Sequence, residues 1–480
     1  MSSTDYDAVI VGSGPNGLAA AITLARAGCS VLVLEANATL GGCVRSAELT
    51  LPGYVHDVCS AIHPLALGSP FFASLPLERF SLTWVQPKIP LAHPLGNGTA
   101  ACLYRSVDET AMALGADARP YRQLMSPLLS KWEELVAEFL QPMLHIPRNP
   151  LALARFGLRA IWPATVLANT LFKREQARAL FAGVAAHSFL PLEAVASAAF
   201  GVVLGMTSHA VGWPMPRGGA QSLSNSLAAC LRDLGGKIET NARVRHLSEL
   251  PSARAILLDI TPWQLLRIAG ERLPAHYSRR LEHFQHAPGV FKIDYALDSP
   301  VPWEADECRH AGTVHLGGTL EEIAFAEREV AAGDTPERPF VLVAQQSICD
   351  RTRAPKGNHT LWAYCHIPHG SIFDMAGRIE QQIERFAHGF RARILARHIM
   401  GPADLEKSNA NLIGGDINGG AANLRQLIAR PVLSPVPYRT PLHGVYLCSS
   451  STPPGGGVHG MCGYHAARAA LRDLFLQRRF

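Results

Sequence analysis

Residues 7–35 read DAVIVGSGPNGLAAAITLARAGCSVLVLE: an apolar strand, a glycine turn, a helix of small residues, a second apolar strand and a terminal acid. Gly12, Gly14 and Gly17 form G-x-G-x-x-G directly after the strand Ala8-Val9-Ile10-Val11. Gly12 permits the tight turn, Gly14 lets backbone approach a pyrophosphate, and Gly17 lets the helix pack close to the sheet. The helix N-terminus then offers unpaired N–H groups and a positive dipole end to phosphates. Glu35, ending the second strand, is placed to accept hydrogen bonds from ribose hydroxyls and to repel a 2′-phosphate. The bland alternative is a glycine turn in an α/β unit that binds nothing. The order of strand, glycines, helix, second strand and acid argues against it.

The far end of the chain repeats the theme. Residues 444–470 read GVYLCSSSTPPGGGVHGMCGYHAARAA, again strand, glycine-rich turn and helix. The strand is Val445 to Cys448, the turn runs through Gly455-Gly456-Gly457-Val458-His459-Gly460, and a helix is expected from about Gly463 to Leu474. Together the two segments suggest a dinucleotide held by opposite ends of the chain. Gly41-Gly42 and Arg45, in GGCVRS, extend the first unit in a way common in FAD proteins and not expected of simple NAD dehydrogenases. Arg45 has two readings: it faces phosphate or flavin, or it is a surface salt-bridge residue. A helix N-terminus aimed at the flavin pyrimidine would stabilise negative charge on the reduced ring. His459 is the histidine expected nearest that ring; its alternative is a helix-entry residue with no chemical role.

Length and composition narrow the function. A chain of 480 residues exceeds one hydrophobic core, so two domains are expected. Hydrophobic residues make up 48% and charged residues 17%, a globular balance. The net charge of +5 comes with no Lys/Arg cluster, so nucleic acid is not an expected partner. The Arg478-Arg479 tail could touch an anionic membrane or simply be solvated. Ten cysteines occur without C-x-x-C or a metal-like Cys/His pattern, so no metal site is expected. The start MSSTDYDAV runs straight into the first strand, with no signal or transit pattern. The expectation is a reducing, cytosolic compartment and a protein that is not secreted. No uninterrupted apolar span is long enough for a membrane-crossing helix. Residues 151–172 come closest and are broken by Arg155, Arg159 and Pro163. They read as one or two amphipathic helices of a cap, or as a peripheral membrane contact that admits a lipophilic substrate.

The nucleotide unit is expected to be discontinuous: residues 1–70, 214–270 and 425–480 form it, and 71–213 with 271–424 form a substrate domain with a helical cap. Residues 214–244 read as a glycine turn at Gly218-Gly219, a helix to Leu234, a Gly235-Gly236 stop and a strand through Val244, whose backbone would meet the adenine. Residues 289–300, 340–346 and 359–368 carry β-rich patterns, assigned to a mixed sheet covering the flavin. Residues 375–398 read as an amphipathic helix. A second full G-x-G-x-x-G directly after a strand is missing, as is a C-x-x-x-x-C redox pair, so electrons are expected to leave to oxygen, a quinone or another acceptor.

With these residues in hand, the chain resembles the phytoene-desaturase-related branch of the flavin amine-oxidase superfamily, nearest to the pyridine-nucleotide-disulfide-oxidoreductase-domain proteins. The stretches that carry the resemblance are GGCVRSAELTLPGYVHDVCSAIHPL, GWPMPRGGAQSL, AGTVHLGGTLEEI, DRTRAPKGNHTLWAYCHIP, NLIGGDINGGAANLRQLIARPV and TPLHGVYLCSSSTPPGGGVHGMCGYHAA, spread over essentially the full length. It implies an α/β fold of the p-hydroxybenzoate-hydroxylase type: a Rossmann-like FAD-binding domain plus a mixed-sheet and helical-cap substrate domain. It also implies FAD and desaturation of an apolar, isoprenoid-like substrate. Positions matching the family's FAD contacts are Gly12, Gly14, Gly17, Glu35, Gly41, Gly42, Val244 and the loop 456–461, with Gly456, Val458, Gly460 and Met461. Ser449 stands where family members often carry glycine.

The expected chemistry is hydride removal from a C–H bond by FAD, with proton loss from the adjacent carbon. His459, His63 and Tyr54 are the catalytic candidates, and His56, Asp57 and Trp213 are further shaping residues. Asp57 has loop packing as its alternative role, and Tyr54 and Trp213 have simple core packing. Two rival functions stay open: an amine-oxidase-like flavin oxidase of a small molecule, and a non-catalytic lipid- or partner-binding protein on the same fold.

Overall fold

Two sheets organise the computed structural model, which describes residues 4–475. The Arg478-Arg479 tail lies outside the described residues. The first sheet has five strands, in the order Val445–Leu447, Ala253–Leu258, Tyr6–Val11, Val31–Leu34 and Lys237–Glu239, with every neighbouring pair parallel. Parallel strands covered on both faces read as continuous apolar runs, which is the pattern of Ala8-Val9-Ile10-Val11 and Val31-Leu32-Val33-Leu34. The helices Pro15–Arg26, Gln221–Asp233 and Met461–Ala470 share one apolar core with this sheet. Their alanines and glycines set the spacing. An added Cβ at Gly463 would fall inside the carbonyl oxygen of Asn16, so the closing helix crosses the first helix backbone to backbone.

The second sheet has seven strands, in the order Ile394–Met400, Gly289–Leu297, His359–Ile367, Val341–Ala344, Ala311–Leu316, Ile89–Leu95 and Thr99–Leu103. It is mixed: Ala311–Leu316 runs parallel to Ile89–Leu95, and the other pairs are antiparallel. All three β-rich stretches read from the sequence are strands of this sheet. One of its cores is built on Tyr295, Trp303, Met375, Phe386 and Phe390. The other joins the sheet to the helices Ala118–Leu129, Ala164–Leu171, Glu175–Ala185 and Ala198–Val211. The chain is thus an α/β protein with a parallel Rossmann-like sheet and a mixed sheet under a helical layer.

Three expectations of local structure are corrected. Residues 375–398 are not one helix: Ala376–Glu384 is helical, Gly389 turns the chain at φ +85°, and Ile394–Met400 is an edge strand. In that strand Leu395, Arg397 and Ile399 face solvent while Ile394, Ala396, His398 and Met400 turn inward, a period of two that three- and four-residue spacing upstream obscures. The strand expected to run through Val244 stops at Glu239, because Asn241 takes a left-handed conformation at φ +57°. The closing helix begins at Met461, ahead of the expected Gly463, and its regular α-turns end at Ala470. The stretch 151–172 forms two helices, Pro150–Ala160 and Ala164–Leu171, bent by 94°. Among the described residues no single helix is long and apolar enough to cross a membrane.

Candidate functional site

The first strand delivers the chain into Gly12 at φ +99°, a conformation that only glycine adopts without cost. A Cβ on Gly17 would overlap the carbonyl oxygen of Gly12, and one on Gly14 would sit 2.7 Å from Asp259 Oδ2. Gly42 folds over this turn: its Cβ would lie 3.2 Å from Gly14 Cα. The result is a bare backbone cradle at the N-terminus of the first helix, the geometry that suits an anion.

Glu35 is buried at the end of the second strand, at the edge of this cradle. Its Oε2 accepts from Ser13 N (3.0 Å) and Ser13 Oγ (2.6 Å), and Oε1 accepts from Asn37 N (2.8 Å). A carboxylate has about four acceptor positions, so three protein donors fix its orientation and leave capacity for a ligand hydroxyl. Val244 reaches the same cavity from a loop, which is tied down by Ala242 N donating to Glu35 O at 2.8 Å. Arg45 does not line the cavity. Its Nε donates to Gly42 O (2.8 Å) and its Nη2 to Ser408 O (3.1 Å), so it staples the second glycine segment to residues 402–408. Gly41, at φ +117°, donates its N–H to Ser13 Oγ at 3.2 Å and supports the cradle from behind.

The closing turn contributes less surface than its sequence suggests. Gly457 and Val458 line the cavity; Gly456, His459, Gly460 and Met461 do not. Gly456 packs on Asn418, and Gly460 packs against Phe71, Phe72 and Ala19. The His459 ring turns inward, where Nδ1 accepts the N–H of Met461 at 3.0 Å and burial pushes its pKa down to about 4. It therefore caps the closing helix, the role held open as its alternative, and the expectation that it faces the reaction centre is corrected. Ser449 turns its hydroxyl to Ile260 O at 2.7 Å.

One cavity of about 390 Å³ joins these parts. From Glu35 and Asn37 it passes the cradle, then Gly42, Cys43 and Cys59, and opens between His63, Trp213, Phe189, Leu342, Trp362 and Tyr364. Trp213 is held by Nε1 donating to Thr313 Oγ1 (2.8 Å), and Trp362 and Tyr364 meet edge to face at 4.9 Å. His63 lines this end; its Nε2 pairs with Ser60 Oγ at 3.0 Å, Nδ1 has no partner, and burial holds the ring neutral, at a pKa of about 4.

Tyr54, His56 and Asp57 sit on or beside the hairpin strand Val55–Asp57 and none of them lines the cavity. His56 pairs with Thr50 Oγ1 at 2.8 Å. Tyr54 is buried, within electrostatic reach of Asp298 and off the cavity. Asp57 accepts from Ser46 Oγ (2.8 Å), Ala220 N (2.8 Å) and Arg353 Nη2 (2.7 Å), all in the interior. It is a loop-packing residue that joins the hairpin to the turn before the helix Gln221–Asp233.

Several lining residues carry no local motif. Among the described residues Arg243 is the one arginine or lysine on the wall, and Asn409 and Asn411 come from an irregular segment far along the chain. Asp259 ends the strand Ala253–Leu258 beneath the cradle, and its Oδ2 accepts the N–H of Gly17 at 2.9 Å. Burial raises its pKa to about 7; the charge of Glu35 adds to the rise and the Gly17 N–H opposes it. Among the described residues the only carboxylates on the wall are Glu35 and Asp259, both at the glycine-rich end. The aromatic end has none.

Comparison with known proteins accords with this geometry. Residues 10–70 match the model of an NAD(P)-binding Rossmann-like domain. Pyridine nucleotide-disulfide oxidoreductase domain-containing protein 2 of Rattus norvegicus is 28% identical, with 98% of this chain and 94% of that protein covered. Hydroxyneurosporene desaturase of Cereibacter sphaeroides is 26% identical over 97% of each. The solved structure of wild-type putrescine oxidase bound to putrescine superposes with a TM-score of 0.62 at 18% identity, covering 97% of this chain and 98% of that one, which shows a common fold. Over nearly its whole length the chain is similar to pyridine nucleotide-disulfide oxidoreductase domain-containing proteins and to a desaturase, and it has a Rossmann-like fold that an amine oxidase shares.

Proposed function

We propose that this chain is an FAD-dependent oxidoreductase that removes a hydride from a lipophilic substrate, in the manner of a desaturase. The observation that carries the reading is the continuity of one cavity, from a glycine cradle and an oriented carboxylate to an aromatic chamber free of carboxylates. The cradle fits the cofactor on its own geometry: Gly12, Gly14 and Gly42 line it without side chains, a Cβ at Gly14 would crowd Asp259 Oδ2 at 2.7 Å, and Glu35 retains an acceptor position. Gly12, Gly14 and Gly42 would hold the pyrophosphate, Glu35 the ribose, Val244 the adenine side, and Gly457-Val458 the ring end. FAD, when bound, supplies the hydride acceptor.

The chain's own residues shape the rest. Trp213, Phe189 and Leu342 exclude water from the chamber, and Trp362 and Tyr364 present an aromatic corner to the substrate. The wall supplies no strong base beside the substrate, which suits a reaction whose product is stabilised by conjugation. An amine oxidase is the second reading, favoured by the shared fold and that aromatic corner. The absence of a carboxylate to pair with an ammonium group weighs against it. Oxygen or a quinone would take the electrons. Leu151, Arg155, Leu158 and Arg159 are exposed on one face of the helix Pro150–Ala160, a mix of apolar and basic side chains suited to an anionic membrane surface from which such a substrate would arrive.

The test is FAD titration of the wild-type protein against the Glu35→Arg variant. Losing hydrogen bonds to a charged group and gaining a cation at the ribose should weaken FAD about 10- to 100-fold. Equal affinity in the two proteins would remove Glu35 from the site.

A further inference from the structure

The mixed sheet and the helical layer enclose a group of histidines that the nucleotide-site reading does not use. His187 sits in the turn Ala186–Ser188 and lines the aromatic end of the cavity. Its Nε2 lies 3.1 Å from Nε2 of His315, a fully buried residue of the strand Ala311–Leu316. The two rings are 5.0 Å apart at an interplanar angle of 51°. Behind them, Gly183 makes room: a Cβ there would stand 2.9 Å from His315 Nδ1 and 3.2 Å from His93 Nδ1. His93 pairs through Nε2 with Gly318 O at 2.7 Å, and His366 pairs through Nδ1 with Glu327 at 2.9 Å.

We infer that the His187–His315 pair is a recognition site for an uncharged oxygen function, a hydroxyl or a carbonyl, on an otherwise apolar substrate. This rests on reading the aromatic end of the cavity as the substrate chamber, and it names the class of molecule that chamber takes. An imidazole pair sharing one N–H leaves His187 a single further hydrogen-bonding nitrogen. Either tautomer serves a hydroxyl, which both donates and accepts, and the N–H tautomer serves a carbonyl. Burial keeps the pair neutral: His187 falls to a pKa of about 3 and His315 well below the ordinary range, with His93 and His366 facing them. A neutral pair supplies no compensating charge to a carboxylate, and with no acid on this part of the wall an ammonium group also lacks a counter-charge, so burying either ion costs more than burying an alcohol or ketone. His63, the other histidine on the wall, spends Nε2 on Ser60, and its remaining nitrogen, Nδ1, is buried, whereas Nδ1 of His187 is not among the buried unpartnered atoms. The positioning role follows: a single polar contact at one end of an apolar chamber fixes which carbon of a long chain lies at the flavin end.

The experiment uses the purified full-length protein, incubated with FAD, and five ten-carbon probes at pH 7: 1-decene, 1-decanol, 2-decanone, decanoate and decylammonium. Equilibrium dialysis gives their affinities for wild type and for His187→Phe. Wild type should hold decanol and decanone more tightly than decanoate and decylammonium. In His187→Phe the alcohol and the ketone should lose about tenfold, the loss of one hydrogen bond, while decene changes less than about threefold. Unchanged decanol binding in a folded variant would overturn the proposal. So would decanoate or decylammonium binding tightest to wild type, a ranking that needs no variant. Flavin absorbance read in the same samples separates the two readings. A colourless protein with intact His187-dependent discrimination would refute the flavin assignment alone, and a yellow protein without that discrimination would refute the histidine site alone.

Discussion

Replacing Gly463 by alanine is expected to destabilise the protein by about 4 kcal/mol or more, a size that single substitutions rarely reach. The added Cβ would lie inside the carbonyl oxygen of Asn16, 2.7 Å from its carbon and 2.9 Å from Ala20 N. Those atoms are backbone of the first helix, so no side chain can swing aside. The two helices must part, and their separation opens a core in which Leu18, Ala20, Ala466 and Ala467 are fully buried. It also shifts the glycine cradle, because Asn16 belongs to the first turn after it. Gly157→Ala is the control: that glycine sits in the helix Pro150–Ala160 with nothing within 4 Å of a Cβ, and alanine there should gain about 0.5–1 kcal/mol. Urea unfolding of the three proteins measures both effects. A Gly463→Ala variant within about 1 kcal/mol of wild type, the ordinary size of a substitution, would contradict the backbone crossing.

Asp259→Asn is expected to stabilise the protein at alkaline pH and to do little under acid conditions. Asp259 has a folded-state pKa of about 7 against an ordinary 3.8. Between those values the folded chain keeps a proton that the unfolded chain has released, so stability falls as pH rises, and the loss is complete once pH passes the folded value. The full difference is worth up to about 4 kcal/mol. Asparagine keeps an oxygen for the Gly17 N–H and has no charge to bury. Unfolding at about pH 5 and about pH 8 should show a gap between variant and wild type that widens at the higher value. A constant gap would show that Asp259 does not keep its proton under the cradle.

The parts of the site that were legible in the sequence are those in which one residue type answers a backbone requirement. Gly12, Gly14 and Gly42 line the cavity because a turn and two close approaches forbid a side chain, and such demands leave a spacing that can be read. Glu35 was legible because it ends a strand of fixed register. Gly17 and Gly41 serve the same turn from outside the cavity. What was not legible depends on long-range assembly. Asp259, Arg243, Asn409 and His187 reach the wall from four separate stretches, and no local pattern marks them. His459 failed differently: a histidine in a glycine loop beside a helix start has two sites open to it, and the free N–H of Met461 took its ring inward. Tyr54, His56 and Asp57, expected as catalytic or shaping residues, lie on or beside a hairpin strand that turns them into the protein interior. The fold was more legible than the site, since the alternation of apolar strands and helices depends on neighbours along the chain; the largest departure is at Ile394–Met400, where an edge strand follows a helix across Gly389.

The central claim, that the glycine cradle and the aromatic chamber share one flavin, is tested most directly by the near-ultraviolet and visible absorption spectrum of the purified protein, before and after adding FAD. Flavin bands that are released as intact FAD on denaturation are the predicted result. A protein that stays colourless after incubation with FAD would contradict the oxidoreductase reading and leave a lipid- or partner-binding protein on this fold.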